Sequence, residues 1–433
     1  MSGMKSKKTM KLWILYGGIL LTMVGYGIAM PLLPFYIDEM GGRGSHLGLL
    51  IATYGLMQLI FAPIWGGLTD DYGRKPFILL GLLGLSLGMI LMGFARSLWM
   101  LYLAQGIGGI FSCGIYPSAM AMISDVYRKD QRSAAMGRVG AAAGLGVIIG
   151  PGLGGLLAVN SLRTPFMIAA GFALITALVV WKALPETLKL KKSTGIVSKA
   201  DSNTDESTKP IQKVLKIWKD EEKTTKTTNK GRPWEAWRHH LKSTLALGLI
   251  AAFFVNFGKS NFTGIYGYYA LERFGFGPQQ VGGVLMAMSF MYALAQGVFV
   301  APLTKVFQEK TLINGIFLGI ALGFFLVILS ARAQHMILAM GVLMFMLALL
   351  KPVSLTYIAN RAEGREGAVM GIAESFMSMG RIIGPLWAGF FFDLDIFLPY
   401  LSGGLIFFGL FLFGLNKQPF HIDGKEKESK HWN

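Results

Sequence analysis

The feature that most constrains this chain is a recurring one: run after run of about 20 apolar residues, each long enough to cross a hydrocarbon core of about 30 Å. Inside a bilayer no water pairs the backbone N–H and C=O groups, so each run has to satisfy them within itself, which selects helices. Twelve spans are expected, at 12–37, 47–68, 76–95, 98–123, 133–158 and 163–184, then 243–270, 279–303, 311–331, 335–359, 367–392 and 396–416. The first follows Lys5, Lys7, Lys8 and Lys11. It is too long for the apolar part of a signal peptide and lacks a small-residue cleavage site, so it is expected to be retained. The fold class is an all-α polytopic membrane protein.

A net charge of +17 invites a nucleic-acid reading, but the placement of the charge answers it. With the N-terminus cytoplasmic, 31 Lys and Arg fall on the cytoplasmic side and five (Arg43, Arg96, Arg163, Arg273 and Arg332) on the other. Lys and Arg concentrate in cytoplasmic loops, so the surplus encodes topology, with both termini inside, and no nucleic-acid partner is expected. Cys113 is the only cysteine, which excludes an internal disulfide and a cysteine-based metal site. The six His lie near span ends or in loops, which argues against a membrane-embedded His enzyme. No cofactor is expected.

The chain repeats itself. Gly48-Leu-Leu-Ile-Ala52 matches Gly283-Val-Leu-Met-Ala287 and Pro117 matches Pro352, both at an offset of 235. Met136-Gly137 matches Met370-Gly371 and Ile149-Gly150-Pro151 matches Ile383-Gly384-Pro385, both at 234. Two six-helix bundles follow, 1–184 and 243–416, with a binding site expected between them near mid-membrane. The Lys-, Thr- and Glu-rich segment 185–242 reads as a solvated linker, and 417–433 as a cytoplasmic tail. Between the second and third spans lies Gly66-Gly-Leu-Thr-Asp70-Asp-Tyr-Gly73-Arg74-Lys75; its second-half copy, Ala301–Lys310, has lost the glycines.

That loop resembles the inner-loop signature of the major facilitator superfamily. Gly146-Val-Ile-Ile-Gly150-Pro151-Gly-Leu-Gly154-Gly155 resembles the antiporter motif of the same superfamily. With twelve spans, the pair is similar to the drug:proton antiporters, the group that holds tetracycline and quinolone efflux pumps. The resemblance implies a major facilitator fold in a bacterial cytoplasmic membrane and a proton gradient as the energy source. It implies gating by Gly66, Asp70, Gly73, Arg74, Lys75 and Asp125. Asp70 and Arg74, four apart, are expected to pair across a helical turn. Glycines at every fourth position, Gly146, Gly150 and Gly154, clear a helix face for close packing. One departure stands out: the Arg that the family carries three residues before Gln105-Gly106, implicated in proton coupling, is here Tyr102.

Ionisable residues inside a membrane are costly and usually functional. They fall in the second half: Lys259, Lys351, Arg381 and the sole carboxylate Glu374. Lys259, Thr263 and Tyr266 are expected to share a face of the seventh span, with Asn256 one turn earlier, and Glu374, Ser378 and Arg381 a face of the eleventh. Tyr26, Gln58 and Gln105 are further contact candidates. Three cations against one acid favour a substrate with an anionic or zwitterionic group. The expected function is export of small amphipathic molecules by a monomeric proton antiporter; a glycolipid or lipid-precursor flippase is the alternative, and a membrane sensor or enzyme the third reading.

Overall fold

A computed structural model of the chain describes residues 2–127, 129–159, 161–187, 245–361 and 366–415; the side chains of 2–12, 70, 71, 129, 130, 133 and 366–368 are not described. The expected linker beyond Thr187 and the tail 417–433 lie outside these residues. The described chain is all helix. Its spans follow the predicted ones to within a few residues at most ends.

The first span is Ser2–Ala29 and Leu33–Asp38 joined by a 3₁₀ turn, Met30–Leu32. Pro31 and Pro34 cause the break, since each lacks an N–H for the α ladder. Then come Gly44–Tyr72, Arg74–Phe94, a broken fourth span of Leu98–Ser112 and Ile115–Val126, Lys129–Leu157 and Thr164–Ala183. The second half has Ala246–Phe274, Pro278–Leu294 continuing through a π-helical stretch Ala295–Phe299 into Val300–Val306, Glu309–Leu329, Ala333–Ala359, Glu366–Leu394 and Leu398–Leu415. Ten spans among the described residues are long and apolar enough to cross a membrane; the two that fall short in apolarity are the seventh and eleventh. Those are the helices that carry Asn256, Lys259, Glu374 and Arg381.

Lipid tails are as apolar as Leu, so close backbone approach, not exclusion from water, holds such helices together. The fifth span packs on the first in this way. A Cβ on Gly150 would stand 2.7 Å from the Cα of Gly27 and 2.8 Å from the Val24 carbonyl oxygen, and Gly146 and Gly154 are equally confined by Leu20–Val24 and Ile28. The eleventh span repeats the arrangement on the seventh, with Gly380 and Gly384 against Phe253 and Phe257. The antiporter-like motif is thus a packing face within one half.

The ten-residue loop expected at Gly66–Lys75 is shorter than its sequence suggests. The second span runs helical to Tyr72 and the third starts at Arg74, leaving Gly73 alone as the connection, at φ +110°. L side chains rarely adopt that backbone conformation, so the turn needs glycine. It also places Asp70 and Arg74 in different helices, on either side of the Gly73 turn.

Candidate functional site

The two halves meet at the end of the bundle opposite Gly73. Two helix pairs form the seam. In one, a Cβ on Gly48 of the second span would run into the Pro385 carbonyl of the eleventh, and one on Gly389 would approach the Cα of Ser45 to 3.0 Å. In the other, a Cβ on Gly155 of the fifth span would stand 2.6 Å from the Pro278 carbonyl oxygen of the eighth, with Gly282 against Pro151 in return. The seams correspond through the repeat, because Pro151 and Gly155 map onto Pro385 and Gly389 at an offset of 234. Asp393 latches the first seam by accepting the Ser45 backbone N–H at 3.2 and 3.3 Å.

Towards the Gly73 end these helices part. Gly66, Gly137 and Gly371 meet nothing within 4 Å. Gly48 and Gly66, Gly155 and Gly137, and Gly389 and Gly371 are each 18 residues apart, which is five full turns, so each pair lies on one helix face about 27 Å apart. One member of each pair is locked in the seam and the other is unopposed. The cleft between the halves therefore opens at one end only.

The ionisable residues line that cleft. Arg381 Nη2 lies 3.5 Å from Glu374 Oε1, with 46% and 61% of the two side chains exposed. Lys259 sits half-buried with its Nζ 4.5 Å from the centre of the Tyr292 ring. The charges acting on Lys259 are those of Lys351 and Arg381. Among the described residues neither lysine has a carboxylate partner, so the wall carries a net positive charge as expected. An exposed pair such as Glu374–Arg381 contributes no more than about 1 kcal/mol, which an arriving anion can overcome.

Several candidates sit elsewhere. Asn256 spends its amide on the Met377 carbonyl at 2.9 Å, tying the seventh span to the eleventh. Thr263 donates to the Lys259 carbonyl of its own helix and faces a small cavity at the seam, with Met30, Leu47 and Val281. Tyr266 lies two turns nearer the sealed end than Lys259, fully buried against Phe262 at 5.9 Å between ring centres. The seventh span thus presents Lys259 to the cleft but not the other three. Tyr26 and Gln105 line a small pocket together with Tyr54 and Met89. Gln58 is half-buried one turn further along the Tyr54 face. Tyr102 donates to the His46 carbonyl at 3.4 Å, holding the start of the second span. Tyr54, Tyr292 and Asp393 escaped sequence reasoning; an aromatic residue in a membrane helix carries no mark of facing a cleft.

The Gly73 turn is built around a buried cluster. Arg74 Nε donates to Asp125 Oδ2 at 3.2 Å, their side chains 6% and 3% exposed. Glu186, just past the sixth span, accepts the backbone N–H groups of Arg74 and Lys75, each at 3.0 Å, while Thr187 donates to Asp125 at 3.3 Å. Lys75 reaches the Trp181 carbonyl at 2.6 Å. The Asp70 side chain lies outside the described residues. The second-half copy proves less worn than its sequence implies: Glu309, at the position of Arg74 plus 235, pairs with Arg361 at 2.8 Å, and Asn360 stands at the position of Asp125 plus 235. The ion pair persists with its polarity reversed.

The sequence matches the family model of the Major Facilitator Superfamily over residues 15–268 and 248–432, virtually the whole chain. The chain belongs to the major facilitator superfamily. Multidrug resistance protein 2 of Bacillus subtilis is 29% identical over 396 residues, covering 91% of both chains. Quinolone resistance protein NorA of Staphylococcus aureus is 28% identical over 409 residues, covering 94% of this chain and 97% of its own. Among solved structures, the human organic anion transporter MFSD10 (TETRAN) matches with a TM-score of 0.59 at 20% identity, over 93% of this chain and 98% of that one. The nucleoside transporter NupG matches with a TM-score of 0.71 at 12% identity, over 93% and 98%. The solved structures share the fold, and the superfamily to which the chain belongs is one of transporters, not enzymes.

Proposed function

We propose that this transporter exports small amphipathic molecules bearing an acidic or zwitterionic group across a bacterial cell membrane. The observation that carries the reading is the group of three cations, Lys259 with Lys351 and Arg381 in its electrostatic reach, of which Arg381 alone is paired with a carboxylate, Glu374, among the described residues. The kinship to proteins named for multidrug and quinolone resistance supports export of drug-like cargo. With both termini cytoplasmic, the open end of the cleft faces the cytoplasm, so this form loads from inside. Alternating access follows when the far-end seams separate and the unopposed glycines, Gly66, Gly137 and Gly371, come together with their opposite helices. The buried Arg74–Asp125 cluster keeps the Gly73 turn rigid through that rocking.

The proton gradient is the proposed energy source. Tyr102 occupies the family's arginine position, which leaves Glu374 and Lys259 to exchange protons. A substrate acid group that takes Arg381 frees Glu374 from its pair and lets it bind a proton. The test is transport by Glu374→Gln in vesicles with an imposed proton gradient. Gradient-driven flux is expected to be lost; flux equal to that of the parent protein would remove Glu374 from the coupling scheme.

A further inference from the structure

The eighth and tenth spans are tied together at a point that a proline creates. Pro352 stands inside the tenth span, Ala333–Ala359. It has no N–H, so the Ala348 carbonyl four residues earlier loses its donor within the helix. Gln296 of the eighth span supplies one, its Nε2 donating to that carbonyl at 3.3 Å. Gln296 lies in the π-helical stretch Ala295–Phe299, and such stretches interrupt α-helices frequently at functional sites. Its side chain also meets that of Tyr292, one turn earlier, and the Tyr292 ring carries the Lys259 ammonium 4.5 Å from its centre. One turn beyond Ala348 comes Lys351, whose charge acts on Lys259. The repeat supplies the contrast. Pro117, the counterpart of Pro352 at an offset of 235, removes the same donor from Cys113, but the position matching Gln296 is Phe61, whose side chain cannot donate. There the fourth span breaks between Ser112 and Ile115, whereas the tenth runs on unbroken.

We propose that Gln296 is a positioning residue for the cationic wall. Anchored on the carbonyl that Pro352 releases, it holds the Tyr292 ring against Lys259 and sets that lysine's place relative to Lys351. This rests on the reading of the wall as the substrate site. Like charges repel, and among the described residues neither lysine has a carboxylate to hold it. The face of an aromatic ring attracts an ammonium without neutralising it, so the ring keeps Lys259 in place and leaves its charge for an arriving anion. A carboxylate in the same position would cancel that charge. A ring free to turn would let Lys259 swing away from the other cations. The Gln296 tie stops the ring from turning, and through Ala348 it fixes the ring to the helix that carries Lys351.

The test titrates 1-naphthalenesulfonate, an anionic amphiphile, and its neutral counterpart 1-naphthylmethanol calorimetrically into the full-length protein in lipid nanodiscs. Gln296→Leu should weaken the sulfonate about fivefold, the worth of one exposed cation–π contact, and leave naphthylmethanol alone. A merely structural role would weaken both. Tyr292→Leu should match it, and Tyr292→Phe, which keeps the ring face, should bind the sulfonate more tightly than Tyr292→Leu; this pair serves if Gln296→Leu does not fold. Pro352→Ala returns an N–H to the Ala348 carbonyl, so in that background Gln296→Leu should change sulfonate binding by less than about twofold. An undiminished effect there, equal weakening of the two probes, or parent-level sulfonate binding in Gln296→Leu and Tyr292→Leu overturns the positioning role and leaves the wall as an anion site. Sulfonate binding that is absent in the parent, or unaltered by Lys259→Met, overturns the reading of the wall itself.

Discussion

Replacing Gly155 with alanine should push the transporter out of the form described above. A Cβ there stands 2.6 Å from the Pro278 carbonyl oxygen, 3.0 Å from the Gln279 Cα and 3.2 Å from the Gln279 carbonyl oxygen. All three are backbone atoms in the first turn of the eighth span, so no side chain can rotate away to make room. Overpacking of this kind costs about 1–3 kcal/mol. The cost falls only on the form in which the seam is shut, so the equilibrium shifts by about 5- to 150-fold towards the form open at the far end. Leu47 lines the seam cavity and is 1% exposed, which makes it the reporter. In a Cys113→Ser background, Leu47→Cys should react faster with a membrane-impermeant maleimide added outside intact cells once Gly155→Ala is present. Gly137→Ala is the control, because it shares the helix face of Gly155 and meets nothing within 4 Å. It should leave the labelling unchanged or lower it. A Gly155→Ala protein that reaches the membrane in normal amount and labels at the parent rate would refute the interlocked seam as the barrier.

Three further outcomes are expected. Arg74→Ala leaves the Asp125 carboxylate buried without its guanidinium and should destabilise the protein by about 3–5 kcal/mol; thermal unfolding in detergent should show part of that restored in Arg74→Ala/Asp125→Ala. Glu186→Ala removes the acceptor of two backbone N–H groups, each such charge-assisted bond contributing about 1.5–3 kcal/mol, so proteolysis near the Gly73 turn should quicken, and an unchanged cleavage pattern would count against the cap. Lys259→Met lowers the positive charge of the wall, so uptake of an anionic dye into inverted vesicles should fall and that of a cationic dye rise; loss of both in equal measure would assign Lys259 a structural role.

Much of this was legible before any coordinates, and the failures have physical causes. The spans announce themselves because a bilayer demands length and apolarity. The seventh and eleventh, poorest in apolarity, are still legible as runs of span length. That Lys259, Lys351 and Arg381 lie within reach of one another was also readable, because unneeded charge is rarely tolerated at depth. Helical periodicity misled at Tyr266: it puts the residue on the Lys259 face, but a face open at one depth is covered two turns on. It also gives no sign of the Gly73 turn, where a single backbone angle ends one helix and starts the next. Glu186 was hidden for another reason. A carboxylate that caps a distant helix start leaves no pattern in its own neighbourhood, and composition assigned it to a solvated linker.

The reversed ion pairs at the two related turns have a consequence for how firmly each is held. An α-helix carries roughly half a positive charge at its start and half a negative one at its end. Glu309 opens the ninth span and Arg361 follows the end of the tenth, so each charge lies where the helix field favours it. Arg74 opens the third span and Asp125 closes the fourth, each opposed by that field. Among the described residues, the Glu186 carboxylate, set over the first N–H groups of the third span, redresses the balance. One turn is thus self-supporting, while its twin leans on a residue at the threshold of the segment joining the halves. A pull on that segment would loosen the first turn and leave the second untouched.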